Sequence, residues 1–365
     1  MAVDRDSGLR SLRGRLKDGS MLRLSDRRPI DVVPTGVATL DAALGVGGLV
    51  RGSQNILWGS ASSGKSALAY VAIGSLMRRD PEATACVFDI ERSCDPEWMS
   101  RFGVDPDRVT VIQQPTIEDN VNSFQEVMRA SAFDYILVDS LGAVVRSVDF
   151  DGRDGKGGDA AKAQVGGSSG VITRWVNKAN SELIVLDKME AAGDEVLKPV
   201  ILYINQVRAD LKSMYGGQTM SGGYALRHMA NVIMRISASG AASDKITGTV
   251  GREKVQVGTH VTVTVEKNKY AAPKHQAGYD FVWEECPERE FGIDSVAACL
   301  DLALDRGVVR SKGAWVYWGE EGRDGFVKAN GRAQMVELMR DNEGLYDDIY
   351  AATMACGDGL HGQGA

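Results

Sequence analysis

The segment Gly59 to Ser66 reads GSASSGKS and matches the GxxxxGK[ST] pattern of a phosphate-binding loop. An apolar run, QNILW, precedes it and a helical run, ALAYVAIGSLM, follows it, which is the strand-loop-helix context that the pattern requires. In such a loop the backbone N–H groups surround phosphates, the lysine reaches the β and γ phosphates, and the serine hydroxyl coordinates Mg²⁺. The sequence therefore predicts that a nucleoside triphosphate and Mg²⁺ contact Gly59, Ser60, Ala61, Ser62, Ser63, Gly64, Lys65 and Ser66.

Three further polar side chains close apolar runs of strand character. Glu91 follows ACVFDI, Asp139 closes YILVD, and Gln206 follows VILYIN. Open parallel sheets bind ligands at the carboxyl ends of their strands, so we expect these side chains beside the phosphate loop. Asp139 is suited to hold Mg²⁺ through water, Glu91 to polarise an attacking water, and Gln206 to hydrogen-bond a γ-phosphate. Each residue alone is compatible with an ordinary polar strand end, and only the combination indicates a site.

The strands that carry these residues have the composition of a buried parallel sheet. Four runs rich in β-branched and aromatic residues alternate with helical patterns, at 54–58, 85–90, 135–139 and 200–205. A later run, THVTVTV at 259–265, predicts a strand with one solvated face. Beyond about residue 285 the pattern changes to a helix (295–304) and an aromatic strand (314–321), which predicts a small separate C-terminal domain.

Composition excludes several classes of protein. The 365 residues are 44% hydrophobic and 25% charged, which is typical of a globular protein with two or three domains. The net charge of -7 means that any nucleic-acid binding must come from local basic patches. Neither a membrane span nor a signal peptide is recognisable, so we expect a cytoplasmic protein without a membrane partner. The five cysteines and four histidines lack metal-ligand spacing, which argues against a zinc site and a disulfide framework.

Two glycine-rich segments and a basic N-terminal segment complete the organisation. Glycines cluster in 152–170 and 216–223, which predicts two long loops of functional importance. Leu9, Leu12 and Leu16 recur at helical spacing among arginines, which predicts a short basic amphipathic helix. That helix either packs on its own domain or docks onto another subunit, and the spacing alone leaves both open.

The combined motifs resemble those of the bacterial RecA recombinase family. The strings PTGVATLDAALGVGGL, GSASSGKS, FDIERSCDPEW, YILVDS, INQVR, SGGYAL and KNKYAAP occur in the family's order over roughly residues 19–350. The resemblance implies an α/β fold: a RecA-type P-loop ATPase core with a mainly parallel sheet, a short N-terminal helix and a small α+β C-terminal domain. The implied boundaries are 1–33 for the N-terminal polymerisation region, 34–284 for the core and 285–365 for the C-terminal domain and tail.

The same resemblance implies roles around ATP. Glu91 is then the catalytic glutamate and Gln206 the switch that couples ATP to a DNA-binding loop. Asp95 and Trp98 match residues that flank adenine, with tryptophan in place of the usual tyrosine, although Trp98 is also explained as a core anchor. Lys267 and Lys269 match a pair that reaches the ATP of the adjacent subunit in the manner of an arginine finger. From spacing alone these two lysines fit a solvated basic turn.

DNA binding is implied for two loops, at about 146–170 and 207–223. The candidate contacts are Arg208, Lys212, Tyr215, Gly222 and Gly223, with Arg174 and Lys178 on the helix after the first loop. Tyr215 is equally explained as a local packing anchor. Three features depart from the family: a longer glycine-rich first loop, extra residues between 177 and 199, and a tail, GDGLHGQGA, without the acidic run that restrains access to DNA in many relatives.

The resemblance implies an ATP-dependent protein that forms filaments of its own copies on single-stranded DNA and exchanges strands with homologous double-stranded DNA. Two alternatives remain at this stage. One is a ring-shaped motor with the same core fold, such as a helicase, against which the KNK segment and the paired loops argue. The other is a nucleotide-gated DNA-binding regulator without productive strand exchange.

Overall fold

The computed structural model describes residues 5–16, 29–142, 167–210, 217–220, 223–238 and 240–356. Its helices, in chain order, are α1 (Arg5–Arg15), α2 (Ala38–Ala43), α3 (Lys65–Arg79), α4 (Pro96–Ser100), α5 (Ile117–Ala130), α6 (Gly167–Ala192), α7 (Gly223–Met229), α8 (Ser295–Asp305), α9 (Gly331–Asp341) and α10 (Glu343–Ala355). Its strands are β1 (Val32–Val33), β2 (Leu49–Val50), β3 (Ser53–Gly59), β4 (Ala85–Asp89), β5 (Val109–Ile112), β6 (Tyr135–Asp139), β7 (Val200–Asp210), β8 (Gly217–Met220), β9 (Val232–Ala238), β10 (Lys245–Val250), β11 (Glu253–Asn268), β12 (Gln276–Val282), β13 (Gly292–Ile293), β14 (Arg310–Lys312), β15 (Trp315–Trp318) and β16 (Val327–Asn330).

The central sheet contains the predicted parallel strands. Its order is β13-β12-β11-β9-β3-β7-β6-β4-β5, with β10 paired to β11 and β8 paired to β7. The part from β9 to β5 is parallel throughout, and β11, β12 and β13 continue the sheet in antiparallel pairing. The prediction of a mainly parallel α/β sheet is confirmed. Because β3, β7, β6 and β4 are neighbours that run in the same direction, their carboxyl ends meet at one edge.

Both faces of this sheet are covered by helices, which explains the near-continuous apolar runs. Along β6, Tyr135 and Leu137 belong to an apolar cluster that includes α3, while Ile136 and Val138 belong to a second cluster with α5 and α6. On the second side Trp175 of α6 is fully buried and meets the ring of Phe88 edge-on, with 5.8 Å between ring centroids. Such a two-sided core holds the strand ends at fixed relative positions.

The C-terminal part forms its own apolar cluster. Helices α8, α9 and α10 pack with the small antiparallel sheet β14-β15-β16, and Ala38 of α2 contributes to the same cluster. A hydrogen bond also joins α10 to α2: the Tyr350 hydroxyl donates to Oδ2 of Asp41 at 2.8 Å. The C-terminal helices are therefore anchored to the core through α2.

The glycine-rich segments contain more regular structure than glycine content suggests. Helix α6 begins at Gly167, inside the range interpreted as the first loop. It continues without interruption to Ala192, through most of the segment 177–199 in which extra residues relative to the family were noted. Strand β7 extends to Asp210 and pairs with β8 from Val207↔Met220 to Asp210↔Gly217, inside the range interpreted as the second loop. The reason is that hydrogen bonding to a neighbouring strand or turn satisfies the backbone groups, which outweighs the low intrinsic propensity of glycine.

Candidate functional site

The phosphate-binding loop connects the fully buried strand β3 to the N-terminus of α3. Gly59 ends the strand, and a Cβ at this position would lie only 2.3 Å from the carbonyl oxygen of Ile236. Gly64 precedes the helix with φ of +89°, in the left-handed region that favours glycine. These two positions explain why the loop needs glycine. Because α3 begins at Lys65, the loop presents a helix N-terminus, which attracts anions.

Lys65 and Ser66 lie where the motif predicts. The Lys65 ammonium group donates to the carbonyl oxygens of Gly59 (3.2 Å) and Ser60 (2.6 Å). Lys65 is only 8% exposed. Burial lowers the pKa of Lys65, while the charges of Asp139 and Glu91 oppose that shift. A bound phosphate would offer this ammonium group anionic oxygen acceptors, which form stronger hydrogen bonds than neutral carbonyl oxygens.

Asp139 ends β6, and its side chain contacts the phosphate-binding loop. Its Oδ2 accepts a hydrogen bond of 2.6 Å from the Ser66 hydroxyl. Burial raises the pKa of Asp139 to about 6, and the hydrogen bond from Ser66 opposes this shift. A hydroxyl and a carboxylate side by side form the hard oxygen donor set that suits Mg²⁺, and a bound cation would favour the ionised carboxylate.

Glu91 and Gln206 are brought into direct contact by the strand order. Gln206 Nε2 donates to Glu91 Oε1 at 2.8 Å, and the Ser140 hydroxyl donates to the same oxygen. Glu91 follows β4, Ser140 follows β6, and Gln206 lies in β7, so three adjacent strands each supply one partner. Glu91 and Gln206 lie at the edge expected from the sequence, whereas Ser140 was not among the predicted site residues.

The turn that carries Glu91 is held by Asp89, a second residue that was not among those predicted from the sequence. Asp89 is 1% exposed, and its Oδ1 accepts from the backbone N–H of Ser93 at 2.8 Å. Its Oδ2 accepts from the N–H of Cys94 at 3.3 Å and from Gln113 Nε2 at 2.8 Å. The available signal was an acidic residue inside the apolar run ACVFD, because a buried carboxylate needs several donors.

These side chains surround one cavity of about 380 Å³. Of the predicted residues, it is lined by Ala61, Ser62, Ser63, Gly64, Lys65, Ser66, Glu91, Trp98, Asp139 and Gln206. Ile204 and Phe281 are lining residues that the sequence did not indicate. The volume lies in the range of small-ligand sites, and the lining combines charged side chains with the aromatic rings of Trp98 and Phe281.

Trp98 lies at the cavity wall and within a group of aromatic side chains. It lines the cavity, and its ring also packs edge-on against Phe102 and Phe291, with centroid distances of 5.2 and 5.3 Å. Asp95 is the N-cap of α4, where its Oδ1 accepts from the backbone N–H of Trp98 at 2.7 Å. The geometry therefore gives Asp95 a structural task, the orientation of the turn that presents Trp98.

Lys267 and Lys269 do not line this cavity. The Lys267 ammonium group donates to the carbonyl oxygens of Arg227 (2.7 Å) and His228 (3.0 Å), and Lys269 approaches that of Met229 at 3.4 Å. Both lysines thus cap the C-terminal end of α7, where positive charge is favourable. Burial and the charge of Lys269 lower the pKa of Lys267.

The candidate DNA-binding residues are only partly described. Arg174 is exposed on α6, and the Lys178 ammonium group of the same helix lies 3.5 Å from Asn122 Oδ1. Arg208 lies in β7, where it pairs with Thr219, and Gly223 begins α7. Lys212, Tyr215 and Gly222 lie outside the described residues.

Among the described residues, none of the helices combines the length and the apolar composition that a membrane span requires.

Comparison with known proteins gives a consistent result. The family model of the RecA N-terminal domain matches residues 5–287. Protein RecA of Kineococcus radiotolerans is 32% identical over 347 residues, which cover 94% of this chain and 89% of that protein. Protein RecA of Acidothermus cellulolyticus is 30% identical over 334 residues, which cover 91% of this chain and 86% of that protein. Protein RecA of Saccharopolyspora erythraea is 32% identical over 337 residues, with 91% and 86% coverage. With this match over most of its length and the phosphate loop in place, the chain belongs to the RecA family of homologous recombination and DNA repair proteins.

Proposed function

We propose that this protein uses ATP to form a filament on single-stranded DNA and to exchange strands with a homologous duplex. One observation carries the proposal: Lys65, Ser66, Asp139, Glu91 and Gln206 converge on one cavity, and the strand of Gln206 leads directly into the segment proposed to bind DNA. A nucleotide at the cavity and DNA at that segment would therefore act on the same strand.

Each side chain has a distinct task in this proposal. Lys65 binds the β and γ phosphates, and Ser66 with Asp139 holds Mg²⁺, which neutralises phosphate charge when it is bound. Glu91 takes a proton from water as the water oxygen bonds to the γ-phosphorus. The bond from that phosphorus to the bridging oxygen breaks, and ADP leaves with the electron pair. Trp98 and Phe281 provide apolar and aromatic surface for the adenine base.

The position of Lys267 and Lys269 supports action on a neighbouring subunit. Both ammonium groups bond to the end of α7 and lie outside the cavity of their own chain. In a filament they would approach the phosphates of the adjacent subunit and stabilise charge that develops there. The exposed side chains of Leu9, Leu12 and Leu16, each more than 40% accessible, are the apolar surface that we assign to subunit contact in the 1–33 region.

The decisive experiment measures ATP hydrolysis with and without single-stranded DNA. Strong stimulation is expected, because filament assembly brings the lysines to the neighbouring ATP. A rate that is independent of DNA would contradict the recombinase proposal. Glu91→Gln serves as the control for contaminating ATPases, since it should lower the stimulated rate by about 10² to 10⁴.

Two measurements separate the alternatives. Electron microscopy with an ATP analogue distinguishes continuous filaments from the closed rings of a motor. Pairing of a labelled single strand with a homologous duplex distinguishes strand exchange from nucleotide-gated binding alone. A heterologous duplex of equal length is the matched control, and equal signals from both duplexes would contradict exchange of homologous strands.

A further inference from the structure

Ser140 lies buried among the ends of three strands. It is 1% exposed and follows the last residue of β6. The carbonyl oxygen of Asp139 accepts from Ile90 N–H at 2.8 Å, and Leu141 N–H donates to the carbonyl oxygen of Ile204 at 3.0 Å. The backbone on both sides of Ser140 is therefore tied to the segment that carries Glu91 and to the strand that carries Gln206.

The carboxylate of Glu91 is held asymmetrically. Both donors, Ser140 Oγ and Gln206 Nε2, reach Oε1, and no donor among the described residues hydrogen-bonds Oε2. The two donors also differ in freedom. Gln206 is an exposed, long side chain, whereas Ser140 is short, buried and fixed by its backbone. Gln206 can therefore turn away from Glu91 by rotation about several side-chain torsions, whereas burial restricts the Ser140 hydroxyl.

We propose that Ser140 is a positioning residue for Glu91, an inference that rests on the proposed ATPase function. When Gln206 turns to a γ-phosphate, Glu91 loses one of its two donors. The Ser140 hydroxyl then keeps Oε1 in place and leaves Oε2 free to accept the proton of the attacking water. The serine thus allows the switch glutamine to move while the orientation of the general base is preserved.

The test compares Ser140→Ala with the wild-type protein. We expect kcat for DNA-stimulated hydrolysis to fall by about 10- to 100-fold, because a loosely oriented base is a common cause of such losses. KM and the affinity for a non-hydrolysable ATP analogue should not change, since Ser140 holds no phosphate.

Ser140→Thr keeps the hydroxyl and should recover most of kcat. Ser140→Cys replaces the hydroxyl by a slightly larger thiol that donates only weakly, so it should give an intermediate kcat. This variant preserves the test if the alanine variant does not fold.

Ser75→Ala is the matched control. Ser75 is also buried (3% exposed), and its hydroxyl has no hydrogen-bond partner among the described residues. Removal of this hydroxyl deletes the same atom from a buried helix without a contact to Glu91. An equal loss of kcat in both variants would indicate a general packing effect and would overturn the inference.

Two further readouts separate this inference from the proposed function. In a Glu91→Gln background, Ser140→Ala should cause no additional loss, because the serine has no base to orient. An additive loss would contradict the positioning role.

Ser140→Ala should also retain the gain in DNA affinity caused by the ATP analogue, and loss of that gain would assign Ser140 to the switch instead. If the wild-type protein shows no DNA-stimulated hydrolysis, the proposed function fails; a normal kcat in Ser140→Ala beside a slow Glu91→Gln overturns only this inference.

Discussion

Two oppositely charged side chains, Lys65 and Glu91, line one cavity but belong to different stages of the proposed reaction. Lys65 is buried, and its ammonium group donates to two carbonyl oxygens. A phosphate could take the place of these acceptors. Glu91 is exposed and held through one oxygen, which suits a group that must take a proton from water. These environments are the reason for the roles that we propose, phosphate binding for Lys65 and catalysis for Glu91.

Substitution at these two residues should give different phenotypes. Glu91→Gln should bind Mg-ATP and remain on DNA, with turnover lower by about 10² to 10⁴, because only the general base is lost. Lys65→Ala should lose nucleotide affinity and, as a result, filament formation. Equilibrium binding of a fluorescent ATP analogue and steady-state hydrolysis measure the two effects separately. Normal hydrolysis by Glu91→Gln would show that the catalytic assignment is wrong.

At the scale of elements, β7 connects the nucleotide site to the proposed DNA contact. Its first part is a buried parallel strand between β3 and β6, and its last part forms a two-stranded antiparallel ladder with β8. Gln206 lies at the transition between these parts, where its amide contacts Glu91. A change in the partner of Gln206 can therefore alter the start of the ladder without disturbing the core of the sheet.

Gln206→Ala should uncouple nucleotide binding from DNA affinity. The variant should still bind ATP through Lys65 and Ser66, but the analogue should no longer increase its affinity for single-stranded DNA. A charge-assisted hydrogen bond contributes about 1.5 to 3 kcal/mol, which corresponds to a roughly 10- to 100-fold shift between two states. The measurement is the ratio of DNA affinities with ATP analogue and with ADP. Gln276→Ala, which removes another exposed glutamine from β12, is the control, and a wild-type ratio in Gln206→Ala would refute the coupling.

At the scale of the whole molecule, a buried carboxylate joins the core to the C-terminal helices. Asp41 is 0% exposed; its Oδ1 accepts from the N–H and the hydroxyl of Thr35, both at 2.7 Å, and its Oδ2 accepts from Tyr350. Burial raises the pKa of Asp41 to about 6, although these hydrogen bonds oppose the shift. The contact therefore links the attachment of the C-terminal part to pH.

Asp41→Asn should change the pH dependence of stability in a defined direction. The folded protein retains the Asp41 proton to a higher pH than the unfolded chain, so this contribution is full below about pH 4 and is lost as pH rises through about 6. Asparagine does not ionise and shows no such loss. The free energy of unfolding of the wild type, relative to Asp41→Asn, should therefore fall across this window by at most about 1.4 kcal/mol per pH unit.

Denaturant unfolding at several pH values measures this difference. Asp324→Asn, at an exposed position, is the control for the loss of one carboxylate from the chain. A constant difference between wild type and Asp41→Asn would show that Asp41 does not titrate in this window.

The local sequence determined the elements and the residues that close them. Continuous apolar runs predicted β3, β4, β6 and the first part of β7, and the GxxxxGK[ST] pattern predicted the loop before α3, because strand burial and phosphate binding each demand particular residue types over a short span. The roles assigned to Glu91, Asp139 and Gln206 stay predictions, since they rest on the resemblance and on proximity.

Contacts between distant segments were decided only by the tertiary structure. Ser140 and Glu91 are 49 residues apart in the chain, and Asp41 and Tyr350 are 309 apart, so no local pattern records either pair. The same holds for β8, which lies in a glycine-rich segment but pairs with β7, and for Lys267, which caps a helix 40 residues away. The partner is supplied by the order of the strands for Ser140 and β8 and by the packing of helices for Asp41 and Lys267. In each case a side chain or strand edge with several local options adopts the one that the surrounding fold completes.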